Sequence, residues 1–246
     1  MSAESVSDDA VSAEPVTATS ESLAPVSDGP LADPDPDPDA DAVEDEDEDE
    51  DAPWTVAVCP VTPELAARIA GMVELDWEDP ELTEKAVLDA GWRSTGAHYG
   101  DFNEKAYTPA GHLVYGDDRL AMPFAYEYWI HPDGVWTEDF WADQPGWHSL
   151  VDPPAGTFDA QLDAVADLFT ELLGPPDHDV THRRRPGFDY HWRYRIWRRG
   201  DNVLVVAPGL DGFSYSQFEH AFVQIRPLPA DAPLPPAAEL PDFLTW

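Results

Sequence analysis

The chain has 246 residues, with 50 Asp or Glu against 13 Lys or Arg, a formal net charge of −37 and a single cysteine, Cys59. That excess of carboxylate repels nucleic-acid phosphates and anionic lipid, so neither is an expected partner, and one cysteine excludes an intrachain disulfide or a cysteine metal cluster. No apolar run reaches the roughly 18 residues that cross a bilayer, and the first residues lack the n-region and h-region of a secretory signal, so the reducing cytoplasm is the expected compartment.

Residues 1–53 carry nineteen acidic residues and no basic or aromatic one. Such a segment cannot bury enough apolar surface to offset the entropy of ordering, and is expected to be a disordered acidic arm. Within it Asp33–Asp39 alternates Asp with Pro and should be stiff and extended. An unbroken octet follows: Glu44, Asp45, Glu46, Asp47, Glu48, Asp49, Glu50 and Asp51. The first basic residue is Arg68, and all aromatic residues lie from Trp54 onward. The expected globular domain therefore covers 54–226, with a possible subdomain break near 152–156.

Trp54–Cys59 is short, β-branched and stopped by Pro60, which predicts a strand. Thr62-Pro63 and Asp79-Pro80 are N-cap and first-turn pairs, predicting two short helices; Leu65, Ile69, Met72 and Val73 form one face of the first, and Gly91 ends the second. From Trp92 to Val151 turn residues alternate with short aromatic runs, as in a β-meander. Along Met122–Ile130, period two puts Phe124, Tyr126, Tyr128 and Ile130 on one side.

Thr157–Leu173 is the clearest helix, with an apolar stripe of Phe158, Leu162, Val165, Phe169, Leu172 and Leu173, ended by Gly174-Pro175-Pro176. An irregular stretch then precedes strands over Asp189–Arg198, Asn202–Ala207 and Phe218–Arg226, the first two joined at Gly200-Asp201. Parity assigns Tyr190, Trp192, Tyr194 and Ile196 to a core face, and His191, Arg193, Arg195 and Trp197 to a solvent face. Residues 227–246 read as a Pro-rich extended tail. These elements predict an α+β fold, a largely antiparallel sheet with two or three helices packed on one face.

Functional signals are electrostatic. Asp159, Asp163, Asp167 and Glu171 recur every four residues, so they align on one side of the long helix. Adjacent like charges at that spacing oppose the helix by about 0.2–0.5 kcal/mol each, so a compensating partner is expected. That partner is either Arg183–Arg185 of the same chain or a basic surface of another protein; otherwise the stripe is merely solvated. Trp136, Trp141 and Trp147 punctuate a loop-rich segment and are either packing anchors or a binding rim. Asp177, His178, Asp179 and His182 combine imidazole and carboxylate in a Pro-flanked loop, the donor set of a metal-dependent hydrolase, although the spacing matches no standard ligand pair. There is no P-loop, GxGxxG fingerprint, EF-hand loop or nucleophile elbow, and no cofactor is expected.

The segments DAGW (Asp89–Trp92), TPAGHLVY (Thr108–Tyr115), PGWHS (Pro145–Ser149) and LFTELLGPP (Leu168–Pro176) resemble uncharacterised domains of GC-rich bacteria, over residues 75–226. Some similar small α+β proteins lie beside polymorphic toxins and are regarded as immunity proteins. The resemblance implies no catalytic residue. Together these features suggest a non-enzymatic acidic protein that binds a basic partner as an inhibitor, immunity or regulatory factor. The alternatives are the hydrolase and a domain whose arm serves solubility alone.

Overall fold

The computed structural model of the chain describes residues 54–94, 98–99, 102–115, 118–129, 141, 143–183, 191–212 and 218–245. The acidic arm, Trp136, Arg184, Arg185, Tyr190, Ile130 and Trp246 lie outside these residues.

Strand β1 (Trp54–Val58) leads into α1 (Pro63–Met72), whose N-cap Thr62 accepts the Leu65 amide at 3.2 Å. Helix α2 (Pro80–Asp89) starts the same way, with Asp79 Oδ1 accepting the amides of Glu81 and Leu82 at 3.0 and 3.2 Å. Each cap satisfies donors that a first turn leaves without partners. The meander follows as β2 (Arg93–Ser94), β3 (His98–Tyr99), β4 (Phe102–Tyr107), β5 (Leu113–Tyr115) and β6 (Leu120–Trp129), then β7 (His148–Val151). Helix α3 spans Thr157–Leu173, and β8 (His178–Arg183), β9 (His191–Arg199), β10 (Asn202–Leu210) and β11 (Glu219–Pro227) complete the strands. A 3-10 turn at Ala237–Glu239 and helix α4 (Leu240–Leu244) end the described chain.

The strand pairings are antiparallel, in the order β2-β4-β5-β6-β11-β10-β9-β8, while β1 pairs with β6 and β7 and β3 with β4. This is the expected α+β fold on an antiparallel sheet.

Both faces of the sheet are covered. On one, Leu65, Ile69 and Met72 of α1, Val87 of α2, and Phe158, Leu162, Val165 and Phe169 of α3 pack on Val56, Met122, Leu204, Val206 and Val223. Residues on either side of 152–156 share this core. Leu172, assigned to the apolar stripe, is 46% exposed, so the stripe ends earlier than periodicity predicts. On the opposite face, Leu228, Leu240 and Leu244 pack against Tyr194, Ile196, Val203, Val205 and Phe222. The segment read as an extended tail thus ends in a helix that closes a second core.

Two strand assignments differ from the sequence reading. Residues 178–183, read as irregular, form β8, paired with β9 from His178↔Ile196 to Arg183↔His191. In β6 the partners step from Ala221↔Ala125 to Phe222↔Pro123, leaving Phe124 as the extra residue of a β-bulge. Pro123 lacks an N–H, and bulges accommodate proline inside a sheet. The bulge reverses parity: Phe124 joins the helix-side core, whereas Tyr126 and Tyr128 point the other way.

Candidate functional site

The acidic row of α3 lies opposite its buried stripe, and Asp159, Asp163, Asp167 and Glu171 are all exposed. Its compensation is internal at one position. Arg195 of β9 donates from Nη2 to Asp163 Oδ1 and from Nη1 to the Leu162 carbonyl at 3.3 Å. Its side chain is only 8% exposed. A buried guanidinium is tolerated when its charge is paired and hydrogen-bonded, and here Asp163 supplies the counter-charge and Leu162 a carbonyl. Arg195 and Trp197 were expected on a solvent face; instead they are buried beneath α3, so β9 is covered on both sides.

Arg193, two residues earlier on the same face, forks onto Asp179 of β8, with Nε–Oδ1 at 2.7 Å and Nη2–Oδ2 at 2.5 Å. Its Nη1 also stands 3.9 Å from Asp163 Oδ1. The fork holds the Asp179 carboxyl below its usual range and raises the Arg193 pKa. Asp167 contributes to the field at Arg193 without a close contact. The Asp159 pKa is raised, first by partial desolvation and then by Asp163, with Arg195 opposing. Among the described residues, Asp159, Asp167 and Glu171 have no ion-pair partner.

The Asp/His quartet does not converge. Asp177 Oδ2 accepts the Arg198 amide at 2.7 Å and Arg199 Nη1 at 3.3 Å, and Asp179 is engaged by Arg193. His178 and His182 share the other face of β8 with Val180, separated by four residues of extended chain, about 13 Å at 3.3 Å per residue. Strand alternation therefore separates the imidazoles from Asp179. Among the described residues, no three His, Cys, Asp or Glu are placed to hold one metal ion.

Trp141 and Trp147 pack inward, and Trp136 lies outside the described residues. Trp141 stacks on Tyr126 with ring centroids 4.1 Å apart, and the Trp147 centroid is 4.3 Å from that of Trp141. Trp147 is buried and its Nε1 donates to the Gly111 carbonyl at 3.4 Å. Beneath them, His112 Nε2 donates to the Cys59 carbonyl at 2.9 Å, while its Nδ1 lies 3.0 Å from the Thr108 hydroxyl. Burial lowers the His112 pKa to about 4 and pushes the Cys59 thiol up to about 12, which keeps both groups neutral and the thiol unreactive.

A feature that sequence reading passed over lies on the face carrying α4. His220 and Asp211 are buried, with Nδ1 3.5 Å from Oδ1, beside a cavity of about 170 Å³. Only strand register brings these two residues together, and no local motif announces it.

Compared with known proteins, the chain matches no family, no curated protein and no solved structure. Among the described residues no helix is long and apolar enough to cross a membrane.

Proposed function

We propose that the chain is a non-enzymatic acidic binding protein that engages a basic protein through its outer helical surface, as an inhibitor, immunity or regulatory factor. One observation carries this reading: Arg193, Arg195, Arg198 and Arg199 are each engaged within the chain, while most of the α3 carboxylates are not. Arg193, Arg195 and Arg199 each hold an aspartate, and Arg198 bonds the carbonyls of Pro229, Ala230 and Ala232. Asp159, Asp167 and Glu171 remain exposed on α3, and Glu74, Asp76, Glu78, Glu81 and Glu84 are exposed around the α1–α2 connection. Lys85, the basic residue of α2, is bonded to Asp89 at 2.5 Å.

Unneutralised potential of this kind steers a cationic partner toward the surface and is screened by salt. In this reading the acidic arm raises the rate of encounter and the helical face supplies register. The reducing cytoplasm suits a protein whose single thiol is buried.

The test is affinity capture from native lysate at low salt, followed by binding measurements on any basic protein recovered. Affinity should fall at least tenfold on raising ionic strength from about 0.05 to 0.3 M, where the screening length shortens about 2.5-fold. It should fall again in the triple variant Asp159→Lys, Asp167→Lys, Glu171→Lys, whose folding is checked by circular dichroism. Recovery of no basic partner, or a folded triple variant that binds unchanged, overturns the proposal.

A further inference from the structure

Arg93 of β2 and Tyr107 of β4 are directly opposed across their antiparallel pair, so their side chains project to the same face. The guanidinium carbon stands 4.9 Å from the centre of the tyrosine ring. A guanidinium held over an aromatic face keeps its in-plane N–H donors available to an acceptor. Arg119, Arg193, Arg195 and Arg199 each hold an aspartate, and Arg198 holds backbone carbonyls. Arg93 is different: it is exposed, and among the described residues no carboxylate lies within ion-pair distance of it.

The pair lines an open groove of about 810 Å³, completed by the turns that carry Pro109 and Pro145. Those turns are pinned to each other. Trp147 Nε1 donates to the Gly111 carbonyl at 3.4 Å, and the Gly111 amide donates to the Thr108 carbonyl at 3.0 Å. The walls are therefore formed before any ligand arrives. Gln144 adds a half-buried side-chain amide. In a chain with 50 acidic residues, the described lining of this groove contains no Asp or Glu. The charge it presents is that of Arg93, opposite in sign to the molecule as a whole.

We propose that this groove binds a small monocarboxylate with an apolar body. The carboxylate accepts two N–H bonds from the edge of the Arg93 guanidinium, and the body lies against Pro109 and Pro145. A planar anion with two oxygens matches the guanidinium fork, which favours a carboxylate over a spherical anion. A single charge is favoured over a phosphate dianion, because one arginine neutralises one charge and the net −37 of the chain repels any surplus. The volume falls within the roughly 300–1,000 Å³ of small-ligand sites. This ligand is opposite in sign to the basic partner of the α3 surface, and the site does not depend on that reading.

The test titrates the full chain by calorimetry with benzoate, benzamide and inorganic phosphate. Benzoate and benzamide match in size and shape and differ in charge. Benzoate is expected to saturate and to bind at least tenfold more tightly than either other probe. Arg93→Gln removes the charge and the fork from an exposed position, and should bring benzoate down to the benzamide level. Arg68→Gln, at an exposed arginine of α1 outside the groove, should leave benzoate binding unchanged. Absence of saturable benzoate binding to the wild-type chain overturns the proposal, as does equal affinity for benzoate and benzamide or for benzoate and phosphate; none of these outcomes depends on a variant folding. An equal loss in Arg68→Gln also overturns it, since binding would then follow overall charge rather than the groove.

Discussion

Gly111 and Gly146 meet backbone to backbone. A Cβ on Gly111 would lie 1.8 Å from the Pro145 carbonyl oxygen, and one on Gly146 would lie 1.7 Å from that of Ala110. Both have positive φ, 103° and 84°. The segments Thr108–Tyr115 and Pro145–Ser149 are thus two halves of one contact, closed over Cys59 by the Trp147 and His112 hydrogen bonds.

Gly111→Ala and Gly146→Ala should each destabilise the protein by about 3 kcal/mol or more, since each adds left-handed strain to a backbone clash that no side-chain rotation relieves. Because the two glycines share one contact, the double variant should cost less than the sum. Urea denaturation midpoints of the three variants test both statements.

Acid should weaken the fold through His112. Its folded pKa of about 4 lies below the ordinary value of 6.5, so between these pH values the unfolded chain takes up a proton that the native state refuses. Stability from this group is complete above pH 6.5 and is lost as pH falls toward 4, by about 3 kcal/mol in all. The pH dependence of unfolding free energy in His112→Gln, subtracted from wild type, should isolate that slope. A zero difference between pH 6.5 and 4 would refute the assignment.

The acidic residues of α3 should divide by role. Asp163→Ala removes the counter-charge of buried Arg195 and should cost about 1–3 kcal/mol. Asp167→Asn and Glu171→Gln relieve like-charge repulsion at spacing four and should change stability by no more than about 0.5 kcal/mol, in the stabilising direction. Equal losses at all positions in thermal melts would contradict this division.

Leu240→Ala and Leu244→Ala should each cost about 2–4 kcal/mol, because both side chains are buried against the sheet. Deleting 237–246 should uncover Tyr194, Ile196 and Phe222 and raise binding of a hydrophobic dye. An unchanged dye signal would mean that α4 does not cover that core.

The helices were legible because their signals are local. Thr62-Pro63, Asp79-Pro80 and Gly174 each act within a few residues, and α3 spans the residues its sequence predicts. Strand β8 was not legible: its sequence HDVTHR lacks the apolar alternation of a strand with one buried face, and its order comes from pairing with β9. The bulge at Phe124 reversed a parity argument that was sound on either side of it. The pairing of Asp163 with Arg195 spans 32 residues, and the approach of Asp211 to His220 depends on the register of β10 against β11. Both are products of tertiary placement. Proline in the tail predicted an extended path, but Leu240 and Leu244 supplied enough apolar surface to override it.

Strand β8 closes one end of the strand order and lies near the 3-10 turn at Ala237–Glu239. Its residues alternate ionic and hydroxyl groups with a lone valine, a border onto which a second copy finds little to zip. Fibrillar growth through strand addition is thereby discouraged at this rim. In a chain so rich in aromatic residues, the furnishing of that last strand works in the same direction as mutual repulsion between molecules.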